Sequence, residues 1–205
     1  MEPDDRPRTS RRRAGDGGPR RGADLGSRTP AEQETQAKEL CLRLLTDRAR
    51  SRAELAKKLT DKGFDADVVA RVLDRLTEVG LIDDAAFASQ WVQSRHTFSG
   101  KGKRALALEL RTKGVAAEVA AVALDQIDRD DERERAAELV RRKLRTASLD
   151  FEVDGPGGRS SERDRLVRRL VSMLARRGYP QGMAFDVVKT ELAQAGTDTG
   201  DLTES

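Results

Sequence analysis

The chain has 205 residues, 37 % of them charged and only 3 % aromatic, with one cysteine, one histidine and a formal net charge of +3. That composition points to a helical protein with much exposed surface and thin cores of Leu, Val and Ala. It excludes an intrachain disulfide, no apolar run approaches the roughly 18 residues that cross a bilayer, and the N-terminus lacks the apolar stretch of a secretory signal, so the expected location is cytoplasmic.

The charge is unevenly spread. Residues 1–30 hold eight arginines against five acidic residues, so the rest of the chain sums to zero. This segment is rich in Arg, Gly, Asp and Pro, cannot bury enough surface to offset its ordering entropy, and is read as a disordered tail. Its clusters Arg11, Arg12, Arg13 and Arg20, Arg21 suit phosphate contact or simple solubility.

From about Glu32 to Thr46 a helix is predicted, with Ala37, Leu40, Cys41, Leu44 and Leu45 on one side. Ser51 and Glu54 have the spacing of a capping box. They open a second helix that stops at Gly63. Asp65 is placed to cap a third, whose apolar face is Val68, Val69, Val72, Leu73 and Leu76 and which ends near Gly80. These three helices make a first unit, residues 31–80.

The stretch 80–95, GLIDDAAFASQWVQSR, opens a second unit, residues 81–128. Asp83 or Asp84 caps its first helix, and Phe87 and Trp91 share a face with Ser94 or Arg95. Trp91, the only tryptophan, is read as a core anchor where units one and two meet; the alternative is a stacking platform for a base. The helix is expected to fade near His96 to Ser99, with Gly100 and Gly102 loosening the joint. Helices from about Lys103 to Lys113 and from Ala116 to Ile127 follow. A third unit, 129–195, starts near Asp130 with an acidic first turn and a basic end, a polarity that suits the helix dipole. A loop insertion at 148–160 precedes a helix from about Glu162 to Arg177, and Pro180 suits the first position of the last helix, which runs to about Ala195. Residues 196–205 are read as a disordered acidic tail.

Each unit contains one phrase in common: LAKKLTDKGF from Leu55, LALELRTKGV from Leu106 and LVSMLARRGY from Leu170. Two leucines at i and i+4 share a helix face. A cation in the last turn suits the negative end of the helix dipole. Gly63, Gly114 and Gly178 are then placed to adopt the left-handed conformation that ends a helix. The glycines are 51 and 64 residues apart, and the insertion at 148–160 accounts for the longer interval. Three copies, each followed by another amphipathic helix, predict an all-α protein. Its expected architecture is an elongated, curved array of three tandem three-helix repeats, about nine helices in all.

No enzyme constellation stands out. His96 has no second histidine, Cys41 falls on an apolar helix face, and no metal spacing or phosphate loop is present. Asp83 and Asp84 diverge on a helix, so capping explains them better than acid–base chemistry. Neither catalytic residues nor a metal or cofactor are expected. The cations are more informative. Lys101, Arg104 and Arg111, with Lys103 nearby, have helical spacing in unit two, and Arg165, Arg168, Arg169 and Arg176 repeat this in unit three. Like charges at i+3 and i+4 repel, so such rows are unhelpful for stability alone. They suit an anionic partner, nucleic-acid phosphates or an acidic protein groove; the bland alternative is a solvated face whose Arg stems cover apolar surface.

The run VLDRLTEVGLIDDAAFASQWVQSR, followed by GKGKRALALELRTKGV, resembles the RecX family of bacterial regulators of the RecA recombinase. The Gly80-to-Asp84 turn, Phe87, Ala88, Trp91, Arg95 and the Leu110-to-Gly114 end carry the likeness. It spans about residues 36–195 and is strongest over 51–128. The resemblance implies tandem three-helix repeats and a non-enzymatic monomer that binds the RecA–DNA filament. It further implies inhibition of ATP hydrolysis, strand exchange and coprotease activity, in DNA repair and the SOS response. On that basis Arg95, Lys101, Lys103, Arg104, Arg111, Arg165, Arg168, Arg169 and Arg176 are expected to face filament protein or DNA. An alternative reading is a helix-turn-helix or winged-helix transcription factor built on residues 51–82, although the helix Asp65–Val79 is poorly basic for a major groove. A plain helical adaptor is a third.

Overall fold

A computed structural model describes residues 29–147 and 159–198. The described backbone forms helices α1 (Pro30–Asp47), α2 (Arg52–Thr60), α3 (Ala66–Glu78), α4 (Asp84–Ser99), α5 (Lys103–Thr112), α6 (Ala117–Asp125), α7 (Arg129–Ala147), α8 (Arg159–Arg176) and α9 (Gln181–Asp198), with no strand among the described residues. Both predicted tails, apart from their inner edges, and residues 148–158 of the predicted insertion lie outside them. α8 begins at Arg159, inside the stretch read as a loop, and α9 continues past Ala195 to Asp198.

Local chemistry explains the starts. Thr29 and Glu32 form a capping box with Pro30 in the first turn, so α1 opens earlier than its apolar periodicity suggests. Ser51 and Glu54 form the predicted box on α2. Asp83 caps α4 by accepting from the Ala86 amide at 2.9 Å, while Asp84 accepts the Arg52 amide of the preceding unit at 2.8 Å. Asp65 occupies the cap position of α3 but its side chain makes no cap bond; its amide meets the Gln33 Oε1 instead. The Gly80 turn leads into α4, not into the hairpin that a winged helix requires.

The repeated phrase folds identically three times. Gly63, Gly114 and Gly178 all have positive φ, at 87°, 72° and 90°. The amides of Phe64, Val115 and Tyr179 donate back to the carbonyls of Leu59, Leu110 and Leu174 at 3.3, 3.1 and 3.2 Å. This is the six-to-one bond of a Schellman end. The three leucine pairs are 0–1 % exposed. Each nucleates a separate core: Leu55 and Leu59 with Cys41, Val68, Val72 and Leu76; Leu106 and Leu110 with Phe87, Val92 and Ala123; Leu170 and Leu174 with Val140, Tyr179 and Val188. Helix packing follows the same division into α1–α3, α4–α6 and α7–α9. The described residues are therefore all-α, three tandem three-helix units with three cores.

Few groups join the units, and the repeat dictates where they sit. In the first joint the α2 cap residue Ser51 donates its hydroxyl to the Lys113 carbonyl, at 2.5 Å, just before the Gly114 turn. In the second the α5 cap residue Gly102 donates its amide to the Arg177 carbonyl, at 2.9 Å, just before the Gly178 turn. Ser51 and Gly102 occupy equivalent positions, as do Lys113 and Arg177. So the end of one unit's middle helix docks on the start of the previous unit's middle helix. The second joint is tightened by Arg177 and Tyr179, which donate to the Ser99 and Gly100 carbonyls at 2.7 and 3.3 Å, and by Glu132, which accepts the Lys103 amide at 2.8 Å.

The expectation that Gly100 and Gly102 loosen the link between α4 and α5 is overturned. Both are buried. A Cβ on Gly102 would lie 2.8 Å from the Gly178 carbonyl, and one on Gly100 would lie 2.9 Å from the Leu139 side chain. Gly102 permits contact between backbones and Gly100 admits the Leu139 side chain, so neither supplies slack. Nor does α4 fade at His96, because Arg135 of unit three donates to the His96 and Thr97 carbonyls and satisfies its last turn.

Candidate functional site

The predicted cations separate into two groups. Arg95 and Lys101 belong to a network around Trp91. The Arg95 guanidinium and the Lys113 ammonium each lie 4.6 Å from the Trp91 ring centroid. The indole N–H donates to Glu109 at 2.9 Å, and Glu109 lies 3.6 Å from both Arg95 and Lys101. Trp91 also stacks on Phe87, with ring centroids 5.8 Å apart. Its faces are occupied by cations and a neighbouring ring, which leaves no open platform for a base. Lys113 carries the network into unit one by pairing with Glu54 at 2.7 Å, which Arg48 also holds at 3.1 Å. Burial pushes the Glu54 carboxyl up, but hydrogen bonds from Arg48 and Lys113, with their charges, outweigh it and hold the group down at about 2.

The second group is unpaired. Arg104 and Arg111 on α5, and Arg165, Arg168, Arg169 and Arg176 on α8, are exposed and pair with no acidic side chain among the described residues. Lys103 is half-buried and likewise unpaired, although its amide is held by Glu132. The reason is local on α5: its one carboxylate, Glu109, faces Trp91, Arg95 and Lys101. These rows are sources of uncompensated positive charge that anions would neutralise.

Sequence reasoning missed Lys113, Arg135 and Arg177, three cations that join units. The first and last precede a repeat glycine and looked like dipole-compensating ends. It also missed a cleft of about 490 Å³ between α4, α6 and α7, lined by His96, Gln126, Asp131, Glu134, Arg135 and Glu138. Its three carboxylates make it unsuited to an anionic ligand. Among the described residues no group of three or more His, Cys, Asp or Glu side chains is arranged to hold a metal ion. No helix of the described residues is long and apolar enough to cross a membrane.

The first two three-helix units agree with the family comparison. The model of the first three-helix domain of RecX matches residues 37–76, and that of the second matches residues 83–124. The regulatory protein RecX of Mycolicibacterium smegmatis is 60 % identical over 164 residues, which cover 80 % of this chain and 84 % of that protein. The chain belongs to the RecX family. The regulatory protein RecX of Mycobacteroides abscessus is 59 % identical over 168 residues, 82 % of this chain and 78 % of the relative. Two solved RecX structures share the fold. One is the crystal structure of RecX from Lactobacillus salivarius, with a TM-score of 0.63 at 20 % identity, covering 80 % of this chain and 97 % of the other. The second has a TM-score of 0.64 at 23 % identity and covers 78 % and 73 %.

Proposed function

We propose that this chain is a non-enzymatic regulator that binds the RecA recombinase–DNA filament. In this reading it acts in the cytoplasm as a monomer and inhibits ATP hydrolysis, strand exchange and coprotease activity, so modulating DNA repair, recombination and the SOS response. The observation that supports it is the pair of unpaired arginine rows on α5 and α8 in a chain of the RecX family. A recombinase filament presents both carboxylates and phosphates, and each can pair with arginine through charge-assisted hydrogen bonds. Arg95 and Lys101 are given a structural role here; the contact residues are Arg104, Arg111, Arg165, Arg168, Arg169 and Arg176, with Lys103 at their edge.

The test is DNA-dependent ATP hydrolysis by the cognate recombinase on single-stranded DNA, with this protein titrated up to the recombinase concentration. The expected result is inhibition that survives excess DNA. Inhibition well below stoichiometry would mark end-capping. No inhibition at equal concentration would reject the reading. Reversing charge at both Arg104 and Arg111 is expected to weaken inhibition about tenfold or more, with the helical circular-dichroism signal unchanged.

A further inference from the structure

The internal repeat supplies its own control for the outer face of α5. Opposite the buried pair Leu106/Leu110, on the solvent face of the helix, stands Leu108, 54 % exposed. The equivalent position is Lys57 in α2 and Ser172 in α8, both exposed. Neither of the other copies needs an apolar residue there, so the fold does not explain one in α5. Leu108 lies one turn from Arg104 on one side and from Arg111 on the other. The three form a cation–leucine–cation row about 10 Å long. Both arginines are exposed and unpaired, and Glu109 is turned away toward Trp91.

We propose that the face formed by Arg104, Leu108 and Arg111 docks an acidic, partly apolar protein segment of the recombinase filament, and not its nucleic acid. This rests on the reading of the chain as a filament regulator. Charge complementarity identifies the occupant. Two carboxylates about two helical turns apart, with an apolar residue between them, would pair with both arginines and cover the leucine. A phosphate backbone offers Leu108 nothing apolar to bury against, and two phosphate contacts contribute only weak, salt-sensitive binding. α8 makes the contrast. It sets four exposed arginines around Ser172 and carries no exposed large apolar side chain among the described residues, the pattern that phosphates favour.

The experiment compares full-length wild type, Leu108→Gln and Leu108→Met in two assays. One is inhibition of the recombinase's DNA-dependent ATP hydrolysis; the other is fluorescence anisotropy with protein-free single-stranded DNA over a range of salt. Leu108 is exposed and glutamine is a good helix former, so thermal melting of L108Q should match wild type. The expected result is that L108Q needs about fivefold more protein for half-inhibition. L108M should stay near wild type, and the DNA affinity and salt slope of both variants should be unchanged. If L108Q inhibits as well as wild type, the docking face is wrong while the regulator reading stands. If L108Q loses inhibition and DNA affinity in parallel, the face is a nucleic-acid surface and the proposal fails. If wild type does not inhibit, the regulator reading fails and takes this one with it.

Discussion

The two joints between units share one geometry and differ in chemistry. In each, the carbonyl before a repeat glycine meets the cap of the preceding middle helix. In the first joint that cap is Ser51, and around it lie Glu54, Lys113, Arg48 and Trp91. In the second it is Gly102, and around it the contacts are made by backbone, by Gly178 and Gly100, by side chains donating to carbonyls, and by Glu132, which accepts the Lys103 amide. The first joint is held by side-chain ion pairs and the second mainly by close approach. Ionic strength should therefore act on the first, and side-chain volume on the second. A repeat protein need not join its repeats by one kind of interaction, because each interface contributes its own coupling.

The largest expected effect tests whether the two caps are interchangeable. Gly102→Ser places at the second joint the residue that serves the first. Its Cβ would lie 2.8 Å from the Gly178 carbonyl, and backbone cannot swing aside as a side chain can. The cost should be about 3 kcal/mol, read as a lower melting temperature with amide protection lost across Ser99 to Gly102 and Arg177 to Tyr179. A neutral result would show that the second joint is not sterically tight and would erase the contrast.

A smaller effect is expected at the first joint. Lys113→Met removes an ion pair and one of the two cations over Trp91 and should cost about 1 kcal/mol. A double-mutant cycle with Glu54→Gln should show coupling near that size, reduced in about 1 M salt. Trp91, the only tryptophan, reports the change by fluorescence. Coupling that salt leaves untouched would mean that packing, not charge, holds this joint.

The smallest effect is the pH dependence. The Glu54 carboxyl is held at about 2 in the folded chain, below its ordinary value of 4.5. Its folded state therefore binds fewer protons than the unfolded one between those values. The stabilisation is complete above about 4.5 and disappears as pH falls through about 2. Trp91 fluorescence, followed over that window, should change in wild type and change less in E54Q. Identical profiles would mean that the Glu54 carboxylate does not hold the first joint by charge.

The sequence by itself determined whatever depends on neighbours three to five residues apart. The leucine pairs at i and i+4, the Ser51–Glu54 box and the glycine stops could all be placed from spacing, because helix geometry alone brings those atoms together. Thr29 and Glu32 carry the same capping signature, so the start of α1 was also within reach. Pairing across helices followed another rule. Glu109 gathers Arg95 and Lys101 only because α4 packs beside α5, and those two cations look no different in sequence from Arg104 and Arg111. Gly102 and Arg177 are 75 residues apart in the chain, and only docking of the third unit on the second turns two flexible-looking glycines into points of contact. Local hydrogen bonding and side-chain periodicity are written in short stretches of chain. Which charges stay free for a partner is decided by the helices that pack around them.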